Sequence, residues 1–288
     1  MVTPSESTTS LDISEAALPD PDRLITARYR DGAAAAGPWN EVLATIMSHR
    51  SVRAFLPTAV PPGTLERLVA AAQSASTSSN LQTWSVVAVE DAGRKARLAA
   101  LGAGQKHIAQ CPLYLVWLVD LARLHRVAEE RQMTLQGLDY LEPFIVGVVD
   151  AALAAQNAAV ARESMGLGFV YIGAMRNHPE EVAAELGLPP HVMALFGMCV
   201  GYPDPIVPTG IKPRLPQSAV LHHEQYSAAA QSAAFTDYDL RIRKFQREQA
   251  MTETDWTQQA TNRVKTAASL HGRDRMCEAL RNLGFALR

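Results

Sequence analysis

The chain has 288 residues, 48% hydrophobic and 19% charged, enough to bury a large core as one domain or two small ones. Its 27 basic and 29 acidic residues give a formal net charge of -2, which excludes a whole-surface attraction to nucleic acid or an anionic membrane and leaves anion binding to local clusters. Three well-separated cysteines, Cys111, Cys199 and Cys277, exclude a disulfide framework and a cysteine zinc site; with no signal-like start and no long uncharged apolar run, they predict a cytoplasmic protein that spans no membrane.

Residues 1–37, rich in Ser, Thr, Pro, Asp and Ala, read as a mobile N-terminal extension in which Leu24, Ile25 and Tyr29 are able to dock. The spacing of Val42, Leu43, Ile46 and Met47 predicts a helix, and Pro61 or Pro62 opens a second one carrying Leu65, Leu68, Val69 and Ala72. A polar run, Ser74 to Asn80, ends it. Residues 84–90 have strand composition, 94–101 helical composition, and 113–119, Leu-Tyr-Leu-Val-Trp-Leu-Val, read as a strand buried on both faces. Residues 144–165 predict a central helix buried nearly all round and stopped by Gly166. A strand at 169–172, a helix over 179–186 closed by Gly187, and a strand at 195–200 follow. The polar remainder is anchored by Tyr238, Phe245, Trp256, Leu280 and Leu283; Trp39, Trp84, Trp117, Met165, Met175 and Met193 read as core residues. Helices with strands arriving singly between them predict an α+β fold without internal repeats.

The chemistry concentrates in a few places. His49-Arg50-Ser51-Val52-Arg53 puts two guanidiniums, an imidazole and a hydroxyl into five positions, a donor set suited to a phosphate or a polarised heterocycle. Lys212-Pro213-Arg214-Leu215-Pro216 places two more cations on a chain stiffened by prolines, which limits the entropy lost in gripping an anion. No Gly-x-Gly-x-x-Gly follows a strand, and there is neither a phosphate loop nor a Gly-x-Ser-x-Gly elbow. His222, His223 and Glu224 are adjacent, but neighbouring histidines do not share a face, so no metal site is expected.

These motifs, taken with Ser78-Ser79-Asn80-Leu81-Gln82, Gly104-Gln105-Lys106-His107, Gln156-Asn157-Ala158, Gly166-Leu167-Gly168, Tyr171-Ile172-Gly173 and Leu195-Phe196-Gly197, occur in an order that resembles the oxygen-insensitive NADPH nitroreductases and NADPH:FMN oxidoreductases of the nitroreductase superfamily. The resemblance implies an antiparallel-dominated central sheet flanked by helices in an intertwined homodimer. It also implies an FMN-binding core over 38–226 and a helical segment over 227–288 that completes the dimer and the nucleotide site. FMN would be held non-covalently, with NADPH as hydride donor and NADH possible. His49, Ser51, Lys212 and Arg214 would meet the phosphate and Arg53 the N1 and C2 carbonyl side of the ring, with Arg50 also counted as cofactor-binding. Thr77, Ser78, Ser79, Gln82, Gln105, Tyr171, Gly173 and Ala174 would surround ribityl and ring. Asn80, Arg176, Arg243 and Arg247 are the candidates for substrate or NADPH contact.

Three departures stand out. Ala174 follows Gly173 where a second glycine is common, which places a methyl group toward the expected flavin face. Asn80 stands where an aromatic is frequent, and no arginine aligns with the loop that reads the NADPH 2′-phosphate. The implied reaction is ping-pong hydride transfer through flavin N5 to nitroaromatics, quinones or flavins, with no side-chain acid or base assigned. Two alternatives stay open: a flavin reductase supplying a partner oxygenase or a dehalogenase-like step, and a non-catalytic flavin-binding redox sensor.

Overall fold

The computed structural model describes residues 18–32, 37–229 and 231–288. Three helices come first, α1 (Pro21–Tyr29), α2 (Glu41–Met47) and α3 (Thr64–Gln73), then strand β1 (Trp84–Val89). Helices α4 (Ala92–Leu101) and α5 (Lys106–Gln110) lead to β2 (Leu113–Asp120), α6 (Ala122–Glu130) and the long α7 (Leu141–Ser164). Strand β3 (Gly168–Ile172), helix α8 (Pro179–Leu186) and strand β4 (Val192–Gly201) complete the sheet, and α9 (Gln231–Glu248), α10 (Trp256–Arg263) and α11 (Met276–Asn282) form the C-terminal segment. The sheet order is β1-β2-β4-β3 and every pairing is antiparallel, in accord with the α+β expectation.

The unbroken apolar run of β2 has its reason in the two layers that cover it. Leu113, Leu115 and Trp117 face a cluster with α3 and α7, including Leu68, Ala72 and Ala155; Tyr114, Val116 and Leu118 face one with Leu98, Ile108 and Val182. Every β2 residue is buried, so the period of two carries no change of polarity. The expected elements recur with shifted ends: β4 begins at Val192, and α3 starts at Thr64, after the left-handed Gly63. Helix α6 was not foreseen in the sequence.

Gly197 on β4 is required by close approach. A Cβ built there would lie 1.8 Å from the Tyr114 hydroxyl and 2.3 Å from its Cζ, because the Tyr114 ring lies across the strand at that point. Gly197→Ala is therefore expected to destabilise the fold by about 2–3 kcal/mol through overpacking, read as a lower denaturant midpoint with unchanged slope.

Two expectations are corrected. Helix α7 is buried on one face only: Ala151, Ala154, Ala155, Ala158 and Ala159 pack inward, while Leu141, Ile145, Val149 and Leu153 are exposed. It has the length and mean apolarity of a membrane-crossing helix, but Asp150 and Arg162 interrupt it, so the expectation of no long uncharged apolar run stands. Its inward face carries Asp150 and the fully buried Arg162, whose guanidinium carbon lies 3.1 Å from the Phe169 ring centroid, and it packs on α3 and β2 as a core helix does. Met165 is exposed rather than core, whereas Met175, Met193 and Trp117 are buried and Trp84 packs on Trp117 with ring centroids 5.6 Å apart.

The segment expected to trail as an extension is helical from Pro21 to Tyr29 and docks through Leu24, with Arg28 also buried. Residues 1–17 and 33–36 of that extension lie outside the described residues.

Candidate functional site

Helix α2 is capped by Asn40, whose Oδ1 accepts from Leu43 N at 3.0 Å, and it ends at Ser48. The chain then extends: Ser51 bridges Phe169 of β3, and Val52 N donates to Phe169 O at 2.7 Å. Residues 49–53 thus run beside the sheet edge, with Val52 buried and Arg53 exposed. His49 packs on Phe169, ring centroids 4.8 Å apart, and its Nδ1 lies 2.7 Å from Glu163 Oε1.

The second arm, 212–214, is held by the Tyr238 hydroxyl, which donates to Pro213 O at 2.8 Å. Its cations meet those of the first arm. Burial, then Arg53 and Arg214, lower the Lys212 ammonium pKa, and burial followed by Arg53 lowers that of the His107 imidazole. Among the described residues none of Arg53, Lys212 and Arg214 makes an ion pair. Like charges gathered without a carboxylate are costly unless an anion joins them. His107 Nε2 adds a buried polar atom without a partner beside Arg53. His107 was quoted in a motif but not chosen from the sequence; its burial next to a cation was the missing signal.

Arg50 is placed elsewhere. It lines a cavity of about 430 Å³ with Glu41, Thr45, Glu163 and Gly168, whose lining includes neither Arg53 nor the 212–214 arm.

The hydroxyl run is organised by a residue the sequence reading missed. Asp150, 1% exposed on α7, accepts from Thr77 Oγ1 at 2.6 Å, Ser78 N at 3.2 Å, Thr83 N at 3.2 Å and Thr83 Oγ1 at 3.1 Å. The loop between carries Ser79, Asn80 and Gln82 at φ +48°, +54° and +51°, a left-handed region unfavourable to side chains. Thr77 Oγ1 also accepts from Gln82 N at 3.0 Å, so Thr77 builds the loop rather than lining it. An aspartate inside an otherwise apolar helix was the signal available.

Gln105 closes its own turn, its Nε2 donating to Gly102 O at 2.8 Å ahead of α5. Tyr171 is partly exposed, lies edge-on to Phe169 and Phe196, and its hydroxyl donates to Gln156 Oε1 at 3.4 Å; burial pushes its phenol pKa up. Gly173 opens a 3-10 turn, Gly173–Arg176, at the end of β3. The Ala174 methyl belongs to the buried cluster with Ile172 and Met175, so it does not stand over the open face as the sequence suggested.

Arg243 and Arg247 are committed to carboxylates, Arg243 to Asp255 at 2.9 Å and Arg247 to Glu253 at 2.9 Å. Arg176 is different. Its Nη1 donates to Leu195 O, and its guanidinium pKa is lowered by burial and then by Arg263; that of Arg273 is lowered by burial, then Arg176 and Arg263. These three arginines make no ion pair among the described residues. Arg263 also lines a cavity of about 530 Å³ with Trp256, Gln259 and His271. Arg263 and Arg273 come from a polar segment without a motif, so only the fold brings them to Arg176.

Comparison with known proteins gives the family. Residues 46–202 match the sequence profile described as Nitroreductase family, and residues 212–288 that described as Nitroreductase family, C-terminal domain. The chain is 38% identical over 231 residues to the FMN reductase (NADPH) of Bacillus subtilis, covering 78% of this chain and 92% of that one. It is 41% identical over 183 residues to the oxygen-insensitive NADPH nitroreductase of Salmonella typhimurium, covering 63% and 72% of the two chains. The solved structure of the NfrA1 nitroreductase of B. subtilis superposes with a TM-score of 0.80 at 35% identity, covering 85% of this chain and 99% of that one.

Proposed function

This chain belongs to the nitroreductase family, and from that premise we propose that it is an FMN-dependent oxidoreductase that takes hydride from NADPH, with NADH as a possible second donor. Its acceptors would be flat, electron-poor molecules such as nitroaromatics, quinones or flavins. The observation that carries the reading is the convergence of Arg53, Lys212 and Arg214, which lack any ion pair among the described residues, with His107 and its unpartnered Nε2 beside Arg53. Such a donor set fits the phosphate and the electron-rich pyrimidine edge of a flavin mononucleotide. The relative named FMN reductase (NADPH) supports the same cofactor and donor.

A bound flavin supplies two-electron chemistry at N5, which lets donor and acceptor use one site in turn. The protein's part is positioning. Lys212, Arg214, His49 and Ser51 hold the phosphate, and Arg53 places a cation where negative charge develops. Ser78, Ser79 and Gln82 form the wall that Asp150 fixes; Gln105, Tyr171 and Gly173 border the ring. No side chain is assigned as acid or base. Arg50 is left out of this set because it lines a different cavity. The division into a core over 38–226 and a completing segment over 227–288 belongs to the same proposal.

A homodimer fits the exposed apolar stripe of α7, Leu141, Ile145, Val149 and Leu153, and its continuation in Val42, Leu43 and Ile46 of α2, which packs on α7.

The donor nucleotide is assigned to the Arg176, Arg263 and Arg273 cluster, since Arg243 and Arg247 already pair with acids. Arg263→Ala is expected to raise KM for NADPH about ten-fold, the loss of one charge-assisted bond, with kcat within a factor of two. An unchanged KM would remove the cluster from the nucleotide site. The function itself is tested by the absorbance spectrum of purified protein, followed anaerobically with NADPH and with NADH. A flavin spectrum bleached faster by NADPH is expected, and protein that stays colourless after addition of FMN overturns the proposal. Turnover of free flavin above that of a nitroaromatic would favour the flavin-reductase role, and bleaching without turnover the sensor.

A further inference from the structure

Helix α1 lies upstream of the residues matched to the family, which begin at residue 46. It is a well-made helix: Asp20 Oδ1 accepts from Asp22 N at 3.1 Å, Pro21 occupies the first turn, and Arg30 ends it in the left-handed conformation. Leu24 and Arg28, four residues apart, face inward together.

Arg28 is 7% exposed and touches both arms of the cationic site. Its Nη1 donates to Lys212 O at 3.0 Å, and its Nη2 donates to Met47 O at 3.0 Å and to His49 O at 2.9 Å. In return Arg214 N donates to Arg28 O at 2.9 Å. Among the described residues no carboxylate pairs with it, and burial followed by Arg214 lowers its pKa. A charge is thus buried with three backbone carbonyls as its hydrogen-bond partners, bridging segments 47–49 and 212–214.

The first segment leads to Arg53, which repels Lys212 of the second, and nothing in the local sequence of either fixes its distance from the other. Arg28 does so with a planar fork whose two terminal nitrogens reach three carbonyls on separate segments, a span that the single nitrogen of a lysine lacks. We propose that Arg28 is a positioning residue for the flavin phosphate: by fixing the separation of the two arms it presents their cations as a preformed site for a phosphate monoester dianion. The inference rests on the FMN reading above. It makes α1 a strap that raises cofactor affinity by preorganisation, without itself touching the ring.

The test uses full-length Arg28→Ala and Arg28→Lys, each titrated with FMN and with riboflavin, which has the same ring and ribityl chain but no phosphate. Arg28→Ala is expected to raise the FMN dissociation constant roughly 10- to 100-fold, the scale of losing a buried charged clamp, and Arg28→Lys by a smaller factor, while riboflavin affinity moves less than about three-fold. The preference for FMN over riboflavin therefore collapses. Equal loss for both flavins would show general damage and overturn the proposal, as would FMN affinity unchanged in both variants. A wild-type protein that binds neither flavin would instead overturn the cofactor reading on which the proposal stands. The two failures are told apart because one appears in the variants and the other in the wild type.

Discussion

Lys212→Ala combined with Arg214→Ala is expected to give a protein that purifies without colour, its affinity for FMN lowered on the order of a thousand-fold, because two charge-assisted bonds to a dianion are removed together. The fold should survive. The Arg214 side chain donates from Nη1 to Lys212 O at 3.1 Å and Pro213 O at 3.2 Å, bonds within its own loop, and the Arg28 contacts to this arm use backbone atoms that the substitutions keep. Flavin-free protein should melt at the wild-type temperature or above it, since Arg53, Lys212 and Arg214 repel one another when no anion is present. Wild type should gain a large melting shift from added FMN, and the double variant almost none. Isothermal titration with FMN and thermal melts with and without it measure both effects. FMN affinity within ten-fold of wild type would place the phosphate elsewhere, and a collapsed fold would mean that the two cations stabilise the loop rather than a ligand.

How much of this was legible in the sequence depended on where the physical cause lay. Strand β2 was readable because both of its faces are covered and seven consecutive apolar residues have no other economical use. The cationic arms were readable as donors, since residue type alone fixes what a guanidinium or an ammonium can bind. Their convergence was read only through the family resemblance, because residues 53 and 212 are brought together by β3, β4 and the loop after them, which residue type does not show. Helix α7 misled for a related reason: an apolar stripe looks the same in sequence whether it meets the core or another chain, and Ile145 and Val149 are as apolar as Ala154 and Ala158. Helix α1 was hidden by its composition: its one buried apolar residue, Leu24, was read as able to dock, but Arg28, whose partners are three distant carbonyls, gave no sign of a helix. Arg50 shows the converse: adjacency groups it with its neighbours, while the extended backbone turns alternate side chains apart and Arg50 lines a cavity with Ser48 and Val52.

Asp150 is the residue whose loss should do most harm to the fold, and it too was invisible as a functional element. Asp150→Ala is expected to destabilise the protein by about 3–5 kcal/mol, because it deletes a buried carboxylate and leaves the donors of Thr77, Ser78 and Thr83 without their acceptor. For a chain of this size that corresponds to a melting midpoint lower by roughly 5–8 °C. The damage should not be confined to stability. Ser79, Asn80 and Gln82 hold positive φ angles at a cost of about 1–2 kcal/mol each, and the network on Asp150 is what offsets that cost. Once it is gone the loop relaxes toward ordinary dihedrals, and the wall offered to the flavin ring disappears even in molecules that stay folded. Asp150→Asn separates the two consequences. The amide keeps the shape and one acceptor but turns an N–H toward donors, so stability should fall by less while hydrogen exchange of Ser78 to Thr83 accelerates well beyond that of β2. Riboflavin and FMN affinities should then fall by the same factor, unlike the phosphate-selective loss expected at Arg28, because the loop meets the part that the two flavins share. Exchange that rises uniformly through β2 and the loop would mean that Asp150 supports the core rather than this wall.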